Sequence, residues 1–218
     1  MVEVRVRGLL FDSDGVLVDS TELVVAQWRA FASWYGLPAD ELLADMHGRR
    51  APDIIAGYAD RLPVSVEDAY ARLLADPAGL ATRTVPVLPG AAELLASLPD
   101  RGWAVVTSGG RAVAGPRLAS AGLPTPPVLI TGDDVPAGKP DPAPYLLAAK
   151  RLDLDPADCL VFEDAPAGLA SARAAGCRSL GLLTTYDAEV VGDADHQTAS
   201  LASVTVESTA DGFVVRFA

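Results

Sequence analysis

Leu9-Leu10-Phe11-Asp12-Ser13-Asp14-Gly15 is an apolar run stopped by two acids and a glycine. Leucine and phenylalanine suit a buried strand, whereas Asp and Gly suit the turn that ends one. With Val4 and Val6 before it, the run predicts a strand that delivers Asp12 and Asp14 at its carboxyl end. Three later apolar stretches stop in the same way: Trp103 to Val106 at Thr107-Ser108-Gly109, Val128 to Ile130 at Thr131-Gly132-Asp133, and Leu160 to Phe162 at Glu163-Asp164. A fifth, Ser179 to Leu183, runs into Thr184-Thr185.

Helical spacing fills the gaps, over Ala91–Leu98, Ala112–Ala121, Pro142–Leu152 and Pro166–Ala175. Uniformly apolar strands separated by crossover helices predict an α/β fold, a Rossmann-like, doubly wound parallel sheet. In such a sheet the strand ends meet along one edge, so Asp12, Asp14, Thr107, Glu163 and Asp164 are expected to converge. From about Thr21 to Arg83 the alternation gives way to helices only. Leu23, Val24, Trp28, Phe31 and Tyr35 make one apolar helical face, and Ile54, Ile55, Tyr58, Ala59 and Leu62 another, with Glu67 to Ala75 as a further helix. An insertion after the first strand would sit over the strand-end cleft. The expected organisation is therefore an α/β core over residues 1–17 and 84–218 with an all-helical cap over 18–83. Val204–Glu207, the turn Thr209-Ala210-Asp211-Gly212 and Phe213–Phe217 predict an antiparallel hairpin at the sheet edge.

The 218 residues, half of them apolar, supply an ordinary core for one domain with an insertion. Seventeen Lys+Arg against 29 Asp+Glu give a net charge of −12. That field repels nucleic acid and anionic membranes, while a local cation can still gather a small phosphorylated metabolite inside a cleft. Cys159 and Cys177 form no metal-ligand pattern and read as reduced and buried. Met1 to Leu10 has neither the apolar core of a signal peptide nor the length of a membrane span, so a cytoplasmic chain is expected. No sustained apolar stripe is left over once core and cap are assigned, and a monomer is expected.

Asp12, Asp14, Glu163 and Asp164 at one edge would repel one another unless a cation sat among them. An all-oxygen donor set favours a hard ion, Mg²⁺. Lys139, in Gly138-Lys139-Pro140-Asp141-Pro142, adds a positive charge on a proline-held loop, and Thr107 with Ser108-Gly109 offers neutral donors. Metal and lysine together describe a phosphate site. Of two acids spaced as Asp12 and Asp14 are, one can attack phosphorus while the other moves a proton to the leaving alcohol. Breaking a carbon–halogen bond needs neither a metal nor a second acid, so the pair favours phosphoryl transfer.

Asp12-Ser-Asp-Gly-Val-Leu-Val-Asp-Ser20, Val106-Thr-Ser-Gly109, Gly138-Lys-Pro-Asp-Pro142 and Phe162-Glu-Asp-Ala-Pro-Ala-Gly168 together resemble the four motifs of the haloacid dehalogenase superfamily, in its phosphatase branch with a helical cap after the first motif. Within that branch Trp103–Gly109, Phe162–Gly168, Ala174–Cys177 and His47-Gly-Arg-Arg50 are most similar to the glycerol-phosphate and 2-deoxyglucose-6-phosphate phosphatases. The resemblance implies Asp12 as the nucleophile that forms an aspartyl phosphate, and Asp14 as general acid and then base. It implies Thr107 and Lys139 on the phosphoryl group, with Mg²⁺ held by the Asp12 carboxylate, the Asp14 carbonyl and Asp164, and Glu163 completing the shell directly or through water. Ser13 departs from the bulkier apolar residue common between the two acids, which implies reduced local stability at most.

His47, Arg49 and Arg50 are the cap residues expected to contact the substrate, since a closing lid must recognise the leaving group. The function expected is Mg²⁺-dependent hydrolysis of a small phosphorylated sugar or polyol. A sugar phosphomutase of the β-phosphoglucomutase type shares the aspartyl phosphate and is the alternative. A non-catalytic metabolite-binding module fits poorly, because no motif acid is missing.

Overall fold

The computed structural model describes every residue except Asp45 and residues 77–83. Strands β1 (Val2–Val6) and β2 (Gly8–Phe11) open the chain, and helices α1 (Thr21–Tyr35), α2 (Ala39–Ala44), α3 (Ala51–Ala56) and α4 (Val66–Leu74) follow. Helix α5 (Ala91–Ser97), strand β3 (Trp103–Val106), helix α6 (Arg111–Ser120), strand β4 (Val128–Ile130), helix α7 (Ala143–Arg151), strand β5 (Cys159–Glu163), helix α8 (Pro166–Ala175) and strand β6 (Arg178–Leu182) then alternate. Strands β7 (His196–Thr198), β8 (Val204–Thr209) and β9 (Gly212–Phe217) close the chain.

Six strands in the order β4-β3-β2-β5-β6-β7 make one parallel sheet. From β2 the chain steps to β3 and β4 on one side, then crosses back to lay β5, β6 and β7 on the other. The reversal falls between β2 and β5, and in open α/β sheets the crevice beyond the strand ends at such a point receives the ligand. The pleat sends alternate side chains to opposite faces. Leu9 and Phe11 enter a core shared with Leu94 and Leu95 of α5 and Leu118 of α6. Leu10 enters the other, with Tyr145, Ala148 and Ala149 of α7 and Ala172 of α8. Phe11 stacks on Phe162 at 4.5 Å and meets Trp103 edge-on at 6.3 Å, which fixes β2 against both neighbours where the acids begin.

Helices α1 to α4 have a core of their own, centred on Trp28, Phe31, Leu42, Ile54, Ile55 and Leu73. These helices form the helical cap of the fold; of the bounds 18–83 expected for it, residues 77–83 lie outside the described residues. No helix among the described residues is long and apolar enough to cross a membrane. Both cysteines are buried free thiols.

Two expectations are corrected. The opening strand is two strands. Val2–Val6 alternates exposed and buried positions as an antiparallel strand does, whereas Gly8–Phe11 is buried throughout as a central parallel strand is. The hairpin β8–β9 does not extend the parallel sheet; it pairs with β1 in a separate antiparallel sheet of order β1-β9-β8, where Val4 lies opposite Val215 and Val6 opposite Phe213. The parallel sheet's edge is instead β7, whose short His-Gln-Thr carries no apolar signal.

Candidate active site

Asp12 follows directly on β2, and its amide donates to the Phe162 carbonyl at 3.0 Å, which prolongs the pairing with β5 by one residue. The turn then folds tightly, with Leu17 and Val18 amides donating to the carbonyl of the buried Ser13. Gly15 sits in this turn at φ +85°, and a Cβ there would lie 2.0 Å from Asp164 Oδ2, so only glycine admits the second acidic strand end so close.

Asp12, Glu163 and Asp164 come together as predicted, each with a carboxylate oxygen within 4.8 Å of the others, and all three are buried. One ammonium is set among them. Lys139 Nζ donates to Asp12 Oδ1, to Glu163 Oε1 at 2.6 Å and to the Val106 carbonyl at 3.0 Å. Burial works against this cation, but the Asp12 and Glu163 carboxylates outweigh it and hold the lysine charged. Burial, countered by Lys139 and reinforced by Glu163 and Asp164, pushes Asp12 upward. Burial and the Glu163 carboxylate push Asp164 up to about 7. A buried group of carboxylates that outnumbers its ammonium takes up a proton or a second cation, and oxygen donors alone fit a hard divalent ion.

Within this group the acids differ. Glu163 Oε1 accepts from Lys139 and from Tyr145 Oη at 2.6 Å, while Oε2 faces the amides of Asp164 at 3.2 Å and Ala165 at 3.4 Å. Its oxygens are engaged by the protein, whereas Asp164 lines the cleft together with Asp12. Asp14 sits at the cleft with about a third of its side chain exposed. Its Oδ1 accepts from Ser20 Oγ and from Arg117 Nη1, the latter at 2.5 Å.

Thr107 and Ser108 follow β3 and line the same cleft. The Thr107 hydroxyl accepts from the Gly109 amide at 3.1 Å, and the Ser108 hydroxyl is spent on the cap, donating to the Gly48 carbonyl at 2.7 Å. His47 and Arg49 reach the cleft from the cap side. The His47 ring packs edge-on against Tyr186 at 5.5 Å, and burial holds its pKa below the usual histidine range against the opposing pull of Asp14. Arg50 stands apart from the cleft lining. Its guanidinium turns to Asp53 and to the backbone of the loop that leads to Lys139.

Sequence pattern alone does not mark Arg117, Tyr145 or Ser20 as members of this site. Tyr145 reads as one more apolar residue on the buried face of α7, and Arg117 as a solvated charge in mid-helix. Only the fold places them against Glu163 and Asp14. One signal was available: Tyr145 lies six residues beyond Lys139, on the helix that the Lys139 loop feeds.

A family model for haloacid dehalogenase-like hydrolases matches residues 6–176. Hexitol phosphatase A of Escherichia coli (strain K12) is 39% identical over 214 residues, covering 97% of this chain and 99% of that protein. Glycerol-1-phosphate phosphohydrolase 2 of Saccharomyces cerevisiae is 36% identical over 199 residues, covering 85% of this chain and 78% of that protein. Among solved structures, a hydrolase from Pseudomonas syringae superposes with a TM-score of 0.72 at 29% identity, covering 90% of this chain and 94% of that one. With the match spanning both the strand-end acids and the cap, the chain belongs to the haloacid dehalogenase-like hydrolases.

Proposed function

We propose that this chain is a Mg²⁺-dependent phosphatase that hydrolyses a small phosphorylated sugar or polyol through an aspartyl phosphate on Asp12. The observation that carries the reading is the buried grouping of Asp12, Asp164 and Lys139 beneath a cap, with Asp14 set beside them on its own anchors. The names of the hexitol and glycerol-1-phosphate enzymes support the substrate class.

In this reading the Asp12 and Asp164 carboxylates with the Asp14 carbonyl would hold the ion, and Glu163, engaged by Lys139 and Tyr145, would complete the shell directly or through water. Bound there, Mg²⁺ supplies positive charge for the phosphoryl oxygens and for the crowded carboxylates. Lys139 and Thr107 orient the phosphoryl group against Asp12. An Asp12 oxygen bonds to phosphorus as the ester P–O bond breaks, and Asp14 gives its proton to the departing alkoxide. Water then attacks the aspartyl phosphate, Asp14 takes the water's proton, and the Asp12–phosphorus bond breaks to release phosphate. The cap, over 18–83, closes the cleft against bulk water, and His47 and Arg49 read the leaving group.

The cleft, lined by Asp12, Asp14 and Asp164 from the core and by His47 and Arg49 from the cap, suits a small ester rather than a protein substrate. Buried thiols and acidic surface fit a cytoplasmic monomer. The test is phosphate release from glycerol phosphates, mannitol 1-phosphate, 2-deoxyglucose 6-phosphate and β-glucose 1-phosphate, with Mg²⁺ and then with excess chelator. Metal-dependent release is the expected result. Isomerised sugar phosphate without free phosphate would assign the mutase reaction instead.

A further inference from the structure

The cap segment Gly48–Arg50 touches both loops that carry the phosphate-binding side chains. Gly48 takes the Ser108 hydroxyl, as described, and Arg50 takes the loop before Lys139. Every donor of the Arg50 guanidinium is used. Nε and one Nη2 hydrogen go to the two Asp53 oxygens, each at 2.7 Å. Nη1 donates to the carbonyls of Gly132 at 3.1 Å and Val135 at 2.8 Å, and the remaining Nη2 hydrogen to that of Pro136 at 3.0 Å. The side chain is 13% exposed, so few of these bonds compete with water.

The core is shaped to receive it. A Cβ on Gly138 would lie 2.5 Å from Arg50 Cγ and 2.7 Å from its Cδ and Nε, and one on Gly132 would lie 3.2 Å from Cδ. Gly138, which directly precedes Lys139, therefore opens the groove in which the arginine stem lies, while a Cβ on Gly132 would first meet the Ser108 carbonyl at 2.6 Å. A planar fork with five donors in fixed directions can gather three carbonyls from one loop while a carboxylate neutralises it; an ammonium cannot.

We infer that Arg50 is a positioning residue, a clasp that forms when the cap is seated and that fixes the 132–138 loop so that Lys139 meets the phosphoryl group in register. This differs from the sequence expectation of a substrate contact, because no guanidinium donor is left for a ligand. It rests on the phosphatase reading for its kinetic consequence and on geometry alone for its structural one.

The test compares Arg50→Ala and Arg50→Lys with the wild-type enzyme on the ester panel in saturating Mg²⁺, alongside amide exchange over residues 132–139 in the presence of inorganic phosphate. A misplaced Lys139 is expected to lower kcat/KM by about 10²-fold, largely in kcat. The factor should be the same for every ester, and lysine should not rescue. Amides in 132–139 should lose protection in both variants. A loss that differs between esters by more than about tenfold would make Arg50 a substrate contact and overturn the inference. So would full rescue by lysine, or wild-type kinetics with only a lowered Tm. Should Arg50→Ala fail to fold, Arg50→Lys decides. If wild-type enzyme turns over no ester, the phosphatase reading fails separately, and unchanged exchange in Arg50→Lys would still overturn the clasp.

Discussion

Tyr145 lies against Lys139, its ring centroid 5.1 Å from the ammonium and its hydroxyl on the Glu163 oxygen that the lysine also binds. The phenol thus supports the lysine twice, by its ring face and through the shared carboxylate. Tyr145→Phe keeps the ring and removes the hydroxyl. A buried hydrogen bond to a charged group is worth about 1.5–3 kcal/mol, so a lowered Tm is expected. Glu163 and Lys139 then lose register, and kcat/KM should fall by about tenfold on all esters alike. Thermal melts and steady-state kinetics on the same preparation check both.

Asp12→Asn should separate chemistry from folding. Loss of the proposed nucleophile is expected to cost about 10⁴-fold or more in kcat. The fold should survive, because Glu163 still accepts from Lys139 and one member of a crowded, buried carboxylate group becomes neutral. Circular dichroism and chelator-treated melts should show a Tm no lower than that of the wild type.

Asp14→Asn should act differently on different leaving groups. An aryloxide leaves without a proton, whereas an alkoxide needs one, and general acid catalysis contributes about 10²–10⁴-fold. With p-nitrophenyl phosphate the variant should release a stoichiometric burst of nitrophenol and then stall, since no base remains to activate water. Rapid-mixing absorbance reads the burst; steady turnover at the wild-type rate would remove Asp14 from the proton path.

The Asp164 carboxyl links stability, pH and metal. Its pKa rises from 3.8 to about 7 on folding, so between these values the folded chain binds the proton more tightly than the unfolded chain does. Stability contributed by this group therefore falls as pH rises through that window, and the full cost is reached above it. Without metal, the Tm of the wild type should decline from about pH 5 to 8 relative to Asp164→Asn. Added Mg²⁺ competes with that proton, so its stabilisation should grow over the same range. Melts across pH with Mg²⁺ and with chelator measure both slopes.

Asp12, Thr107, Lys139, Glu163 and Asp164 were legible in the sequence because each stands where an apolar run or a proline-held loop ends, and a parallel sheet gathers such ends. Arg117 and Tyr145 were not, because a helix interior gives the same local pattern whether a side chain faces solvent or an active site. The direction of Arg50 was also invisible: beyond the nearby Asp53, its acceptors are three backbone carbonyls more than 80 residues away, which no side-chain motif encodes. The two-strand opening was encoded, as alternation over Val2–Val6 against a continuous apolar run over Gly8–Phe11, but the partner of the first strand lies too far along the chain for local pattern to reveal.

That partner has a consequence during synthesis. Val2 pairs with Phe217 and Val6 with Phe213, so β1, made about 200 residues before β9, has no strand of its sheet to pair with until β9 has left the ribosome. The parallel sheet can begin to assemble from β2 onward while translation continues, but the antiparallel seam closes only once β9 has emerged. A nascent chain arrested before β9 would expose the bare edge of β1 and the apolar side chains of Val4 and Val6, and would be a natural client for chaperones.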